Sequence, residues 1–444
     1  MGQNWHKRSD VHIDSELDNA ISQYCWSNWI SIDLTAGRSI PTRATRQARY
    51  RMAAVTAAIE GSLQRRYISL GPSADAIEDL AIRRAKSVFR FAHANVQPLS
   101  GTSANLAVLF GLCSSGDRLL AMSLQHGGHL SHGFRHALSG KLFDVNQYKL
   151  GFNTQCLDYD AVRSQARRLR PRMIVAGSSS FPLKIDYSVF ASIAEEVEAQ
   201  LLLDISHHAG FVAAGLMDVP RGDNVIVSLT TYKTLCGPRG GIILCSNGRR
   251  SEIERAVFPL VQGSVPLDGI AAKAAVLGDA ATGSFRETMV CILDNAVALS
   301  DALVAEGVAL VAGGTETHMI VIDVGDAGRT GLELQRELRE HGIVVDAQAL
   351  PTDPAGLMSG IRLGLTSVSA QNIAPSELRL LGRIISDIVL RREGAGSNKK
   401  LIRELAESLL NRAWQPLFEP LGGERDWLMG GLGRGQALAG RRDR

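Results

Sequence analysis

Residues 224–241 read NVIVSLTTYKTLCGPRGG, and how they are read decides the fold. Val225–Leu229 is a largely apolar, β-branched run of strand length, followed at once by hydroxylated residues, a single lysine (Lys233) and a glycine-rich turn. Such a strand has no wet face, so it belongs in a sheet covered on both sides, and sheets of that kind are mainly parallel. RLLAMSL, RMIVAG, AQLLLDIS and GIILC have the same character. Between residues 75 and 250 these runs alternate with segments of helical period, such as DAIEDLAIRRAKSVF with Ile77, Leu80, Ala81, Ala85 and Val88 on one face. The expectation is an α/β fold whose parallel strands end on a common rim, where residues distant in sequence meet.

At 444 residues and 45% hydrophobic, the chain is long enough for two globular domains. Near residue 296 a second alternation begins: helix NAVALSDALVAEG, strand HMIVIDV, helix GLELQRELREHG and strand IVVDAQ. The expected division is an N-terminal arm over 1–57, a large domain over 58–295, a small α/β domain over 296–391 and a C-terminal extension over 392–444. In that extension REGAGSNKK links to an amphipathic helix KLIRELAESLLNRAW, and the glycine- and arginine-rich end reads as disordered.

Forty-eight basic residues against 45 acidic ones give a net charge of +3, with no basic stripe interleaved with aromatics. This points to small-molecule partners rather than nucleic acid. The six cysteines are scattered without C-x-x-C pairs, which excludes a disulfide framework and a zinc knuckle and suggests reduced thiols. The N-terminus lacks a signal-peptide core and no window reads as a bilayer span, so a cytoplasmic protein without a membrane segment is expected.

Five polar clusters fall at or just after predicted strand ends. Ser100, Gly101 and Thr102 of QPLSGTSANLAVLFGL open an apolar helix, a place for an N-cap or, through free N–H groups and the helix dipole, for a phosphate. LQHGGHLSHGF carries His126, His129 and His132; the glycine pair breaks a regular helix and no acidic residue lies nearby in sequence, so a metal is set aside. An imidazole there can stack on a flat ligand. Asp204 ends an apolar strand in LLLDISHHAG, with His207 three residues on, and needs a cationic or protonated partner. Lys233, desolvated at a strand end, can form a Schiff base. Arg362, in SGIRLGL, suits a substrate carboxylate. Each has a plain structural reading alone; together they describe pyridoxal 5′-phosphate holding an amino acid.

Over roughly residues 58 to 392 the chain resembles serine hydroxymethyltransferases, fold-type I pyridoxal-phosphate enzymes, through NVQPLSGTSANLAV, HGGHLSHGF, DISHHAGFVAAG, TTYKTLCGPRGG and SGIRLG. The resemblance implies Lys233 as the coenzyme's Schiff-base lysine, Asp204 on its ring nitrogen and His129 stacked on the ring. It further implies His207 and Ser179 near the ring hydroxyl, and Ser100, Gly101 and Thr102 at the phosphate, helped by Gly263 of a second subunit. Arg362 would take the substrate carboxylate, Glu60 would be the acid/base glutamate, and Tyr67 would match a substrate-side tyrosine. A homodimer or tetramer with shared sites follows from the same resemblance.

The departures surround the substrate. Ala58 and Ile68 replace tyrosines, Tyr232 replaces a histidine, Cys236 an arginine, and Thr352 an asparagine linked to folate binding. They tilt the expectation toward transfer of a glycyl unit from threonine or serine to an aldehyde in specialised metabolism, a transaldolase. The alternative is a hydroxymethyltransferase using tetrahydrofolate. A non-catalytic, coenzyme-binding relative is a further alternative, against which the joint presence of Lys233, Asp204 and Arg362 speaks.

Overall fold

The computed structural model describes residues 15–53, 58–63, 65–66, 72–151, 154–325, 328–354, 356–392 and 398–418. Its centre is a seven-stranded sheet: β1 (His93–Asn95), β2 (Arg118–Met122), β3 (Asp144–Tyr148), β4 (Met173–Ala176), β5 (Gln200–Asp204), β6 (Val225–Thr230) and β7 (Gly241–Cys245). The spatial order is β1-β7-β6-β5-β4-β2-β3. All pairings are parallel except those of β7, which runs antiparallel to both β6 and β1. The sheet is thus mainly parallel, as expected, with GIILC as its antiparallel strand. The cause is the connection: residues 231–240 are too few for a crossover helix, so the chain doubles back.

Alternate residues of the central strands face opposite sides, and both sides are dry. Leu201, Leu203, Val225 and Val227 join one buried cluster, whereas Leu202, Ile226 and Ile243 join another with Ala104, Val108 and Leu109 of helix Gly101–Leu112. This double cover explains why the strands read as unbroken apolar runs. Helix Pro72–Phe89 covers one side with Ala81, Ala85 and Phe89 buried, and it also buries Glu78.

A second core gathers Ile32 and Leu34 with residues from Ala296 to Leu409. It contains an antiparallel sheet of Met319–Asp323, Gly360–Gly364 and Asp346–Gln348. IVVDAQ is not one strand: Ile343–Val344 pairs in parallel with Ile32–Asp33, and the chain changes partner at the buried Val345 before Asp346–Gln348 joins Gly360–Gly364. Helix Asn398–Phe418 packs Ile402, Leu405 and Leu409 onto this core, while residues 430–444, the glycine- and arginine-rich end expected to be disordered, lie outside the described residues.

Helix Gly283–Ala305 corrects the expectation about apolar windows, because with a mean hydropathy of 1.6 it is long and apolar enough to cross a membrane. Its inward face is used within this chain: Phe285, Met289 and Ile292 enter the first core and Ala296, Leu299 and Leu303 the second.

One buried charge braces the segment that enters helix Gly101–Leu112. Lys273, on helix Leu267–Asp279, is 2% exposed and donates from Nζ to the carbonyls of Val96 (2.6 Å), Pro98 (2.9 Å) and Gly241 (3.1 Å).

Candidate active site

The site forms where β5 and β6 end, because there the chain leaves the covered sheet and its polar side chains meet. Lys233, 8% exposed, places Nζ 3.0 Å from Nε2 of His207. Burial lowers its pKa to about 8; Asp204 opposes that push and Arg362 adds to it.

Asp204 is 7% exposed and fully engaged. Its Oδ2 accepts from Asn105 Nδ2 (2.7 Å) and lies 2.9 Å from His132 Nε2, while Oδ1 accepts from the Ser206 N–H (3.0 Å). Burial alone would raise the carboxyl, but the His132 hydrogen bond and the charges of His132 and His129 hold it well below the usual carboxylate range. Asn105 also donates to Ser131 Oγ (2.8 Å), which lies 2.7 Å from His129 Nδ1. One buried amide thus orients both the carboxylate and the His129 ring. Burial, followed by the charge of His132, lowers the His129 pKa to about 4.

The glycine pair before His129 is demanded by space. Gly127 has φ +105°, and a Cβ on Gly128 would stand 2.2 Å from the Met122 carbonyl oxygen. The loop can therefore lie directly on the end of β2. Ser100 caps the next helix, accepting from the Ser103 N–H at 3.0 Å, and Ser103 Oγ returns the bond to the Ser100 N–H at 2.9 Å. A Cβ on Gly101 would come within 2.6 Å of Thr230 Cγ2, so its absence lets the helix N-terminus abut the end of β6.

Ser100, Gly101, Thr102, His129, Ser179, Asp204, His207 and Lys233 all line one cavity. Arg362 does not line it. From the middle of Gly360–Gly364 it binds Asp346 Oδ2 at 2.6 Å through Nη2 and the Ser179 carbonyl through Nη1, and its buried Nε has no hydrogen-bond partner. Glu60 and Gly263 also lie outside the cavity. Val265–Pro266 pairs antiparallel with Ala58–Ile59, which brings their two segments side by side. Tyr67 falls outside the described residues, as does Ile68.

Of the substrate-side departures that are described, Tyr232 alone lines the cavity; Ala58 is paired with Pro266 and Thr352 is exposed. Cys236 is buried beyond the lysine, with a left-handed φ of 60°. The metal argument is corrected too. A carboxylate does reach the histidines, since His129, His132 and Asp204 bring ligand atoms within 4.8 Å of one another. Asp204 is 72 residues from His132 in sequence, so only the fold supplies it; its Oδ2 is engaged by Asn105 and His132.

Sequence reasoning missed Asn105, Ser131, Arg239 and His318. The guanidinium of Arg239 sits 5.2 Å from the Tyr232 ring centre, and both residues line the Lys233 cavity and a neighbouring cavity of approximately 690 Å³. Asn105 carried a weak signal, a lone amide in an otherwise apolar helix.

Comparison with known proteins agrees with this geometry. Residues 11–385 match the family described as serine hydroxymethyltransferase. A curated serine hydroxymethyltransferase from Dehalococcoides mccartyi is 38% identical over 382 residues, which cover 84% of this chain and 92% of the relative. The chain that places Lys233, Asp204 and His129 around one cavity belongs to the serine hydroxymethyltransferase family.

Proposed function

We propose that the chain moves a one-carbon unit between a β-hydroxy amino acid such as serine and a reduced folate, with pyridoxal phosphate as coenzyme. The observation that carries this reading is the pair of adjoining cavities. One holds Lys233 and Asp204; the other is lined by Arg38, Arg46, Arg49 and Arg239 against a single acidic residue, Asp33. A cationic chamber beside the lysine suits an acceptor bearing carboxylates, as folates do, better than a neutral aldehyde. Kinship to a serine hydroxymethyltransferase over most of both chains supports the same choice, against the transaldolase expectation.

The residues present fit the coenzyme. Asp204, anionic and anchored on both oxygens, suits a ring nitrogen that must keep its proton. The bare Cα of Gly101 leaves the helix N-terminus tight against β6, a backbone cradle for phosphate together with Ser100 and Thr102. His129 would cover the ring, Ser179 and His207 would meet its hydroxyl, and Lys233 would engage its aldehyde carbon. Bound there, the coenzyme supplies an electron sink for the substrate's Cα. His207 Nε2, 3.0 Å away, is placed to take a proton from Lys233 Nζ. Arg362, bound to Asp346 and to the carbonyl of the cavity residue Ser179, would take the substrate carboxylate.

Glu60 and Gly263, next to paired segments outside their own cavity, support a homodimer in which each copy completes the other's site. Mixing Lys233→Ala with Glu60→Gln chains should then restore one intact site per heterodimer, whereas sites confined to one chain would stay inactive. The deciding assay incubates purified protein with serine, with and without tetrahydrofolate, and with threonine plus an aromatic aldehyde. Folate-dependent glycine release is expected. Folate-independent turnover with the aldehyde would replace this reading by glycyl transfer, and no turnover at all would favour a non-catalytic relative.

A further inference from the structure

Behind Lys233 stands a second imidazole that no part of the proposed chemistry uses. His318 immediately precedes strand Met319–Asp323 of the second core and is fully buried. Its Nε2 lies 3.2 Å from His207 Nδ1, and His207 Nε2 lies 3.0 Å from Lys233 Nζ. The two ring centres are 5.3 Å apart with 18° between planes. With nitrogens at 3.2 Å, that combination is an edge-to-edge, nearly coplanar contact, so the N–H of one ring points along the lone pair of the other.

We propose that His318 is a positioning residue that fixes the tautomer of His207, keeping Nδ1–H donated to His318 Nε2 and Nε2 bare toward Lys233. The direction of the chain follows from the lysine end. An ammonium at Lys233 can only donate, so His207 Nε2 must accept and its proton must sit on Nδ1. At the far end His318 Nε2 then accepts from His207 Nδ1, while His318 Nδ1 is buried with no hydrogen-bond partner. Burial disfavours charge on both imidazoles, so at rest each is neutral and the order of donors is preserved.

The arrangement serves the lysine. A proton leaving Nζ for His207 Nε2 would make an imidazolium, and the Nδ1–H bond to His318 stabilises it, the part a third group plays for a catalytic histidine elsewhere. The charged and titratable groups facing this relay are Lys233, Arg362, His208 and Asp204. His208 is occupied separately, its Nδ1 2.8 Å from the Tyr187 hydroxyl. Lys233 and His207 belong to the sheet segment and His318 to the second core, so the relay also ties the two halves together at the reactive amine.

The inference rests on the assignment of Lys233 as the coenzyme-binding lysine, and its test separates the two. Full-length protein labelled with ¹⁵N-histidine reports the His207 tautomer directly. Wild type is expected to show Nδ1 protonated and Nε2 bare; a proton on Nε2 would overturn the proposal without any variant. His318→Phe should mix the tautomers and slow coenzyme loading at Lys233, followed by visible absorption across pH, by about one to two orders of magnitude. His318→Gln, whose amide oxygen can accept from Nδ1–H, should restore most of both signals. Unchanged His207 signals and loading rate in a folded His318→Phe protein would also overturn it. Absence of a borohydride-sensitive absorption in wild type would instead sink the assignment of Lys233.

Discussion

Two buried lysines in this chain, Lys233 and Lys273, differ in what surrounds them rather than in how deeply they lie. Both are under 10% exposed, and burial lowers both, Lys233 to about 8 and Lys273 to about 7. Around Lys273 three carbonyls take the three ammonium protons and favour the charged form against that push. Around Lys233 the nearest partner is an imidazole nitrogen that can receive a proton. The shifted amine alone marks neither as reactive; the capacity of its partner to accept a proton distinguishes a nucleophile from a brace.

The largest test of that contrast is the pair Lys233→Ala and Lys273→Met. The first should cost about four orders of magnitude or more in turnover and remove the coenzyme's visible absorption, with urea stability nearly unchanged. Loss of absorption in a folded Lys273→Met protein would break the comparison. Next, Asp204→Asn should lower turnover by about two to three orders of magnitude through the lost negative charge, while circular dichroism remains native. Smaller in free energy, Lys273→Met should lower unfolding stability by about 2–4 kcal/mol, since it strands the Val96 and Gly241 carbonyls. Lys273→Arg should not rescue it, because Lys273 Cε already occupies the space where a Cβ on Gly240 would stand.

The smallest expected effect is acid sensitivity, which should be strongest around the lysine that faces histidines. His129 and His208 are lowered to about 4 and His318 to about 3, chiefly by burial. With folded values below the unfolded one near 6.5, the unfolded chain binds more protons as pH falls. Stability is therefore whole above about pH 6.5 and declines toward pH 4. Hydrogen exchange at pH 5 should loosen β5, β6 and the segment around His318 before the Lys273 brace; simultaneous loosening would remove the distinction.

Much of the architecture is legible in sequence because a doubly covered sheet leaves long apolar runs with polar residues at their ends. Asp204 and Lys233 stand out for that reason: each is an expensive residue directly after such a run. The direction of β7 is not legible in its composition because an apolar run carries no arrow; the length of the connection before it does. Asn105, Ser131 and His318 were not legible, since each is a single polar residue whose partner lies 26 to 123 positions away. In the sequence His318 is simply the first letter of the strand HMIVIDV. The tilt toward aldehyde transfer rests on Ala58 and Ile68 opening the substrate side and on Thr352 in place of a folate-linked asparagine; neither Ala58 nor Thr352 lines the Lys233 cavity.

Helix Gly283–Ala305 carries a last consequence, for how the chain comes apart. Since Phe285, Met289 and Ile292 complete one core and Ala296, Leu299 and Leu303 the other, neither can melt without stripping apolar surface from its neighbour. Heating should accordingly give one calorimetric transition with matching calorimetric and van't Hoff enthalpies, the halves surviving or failing as a unit.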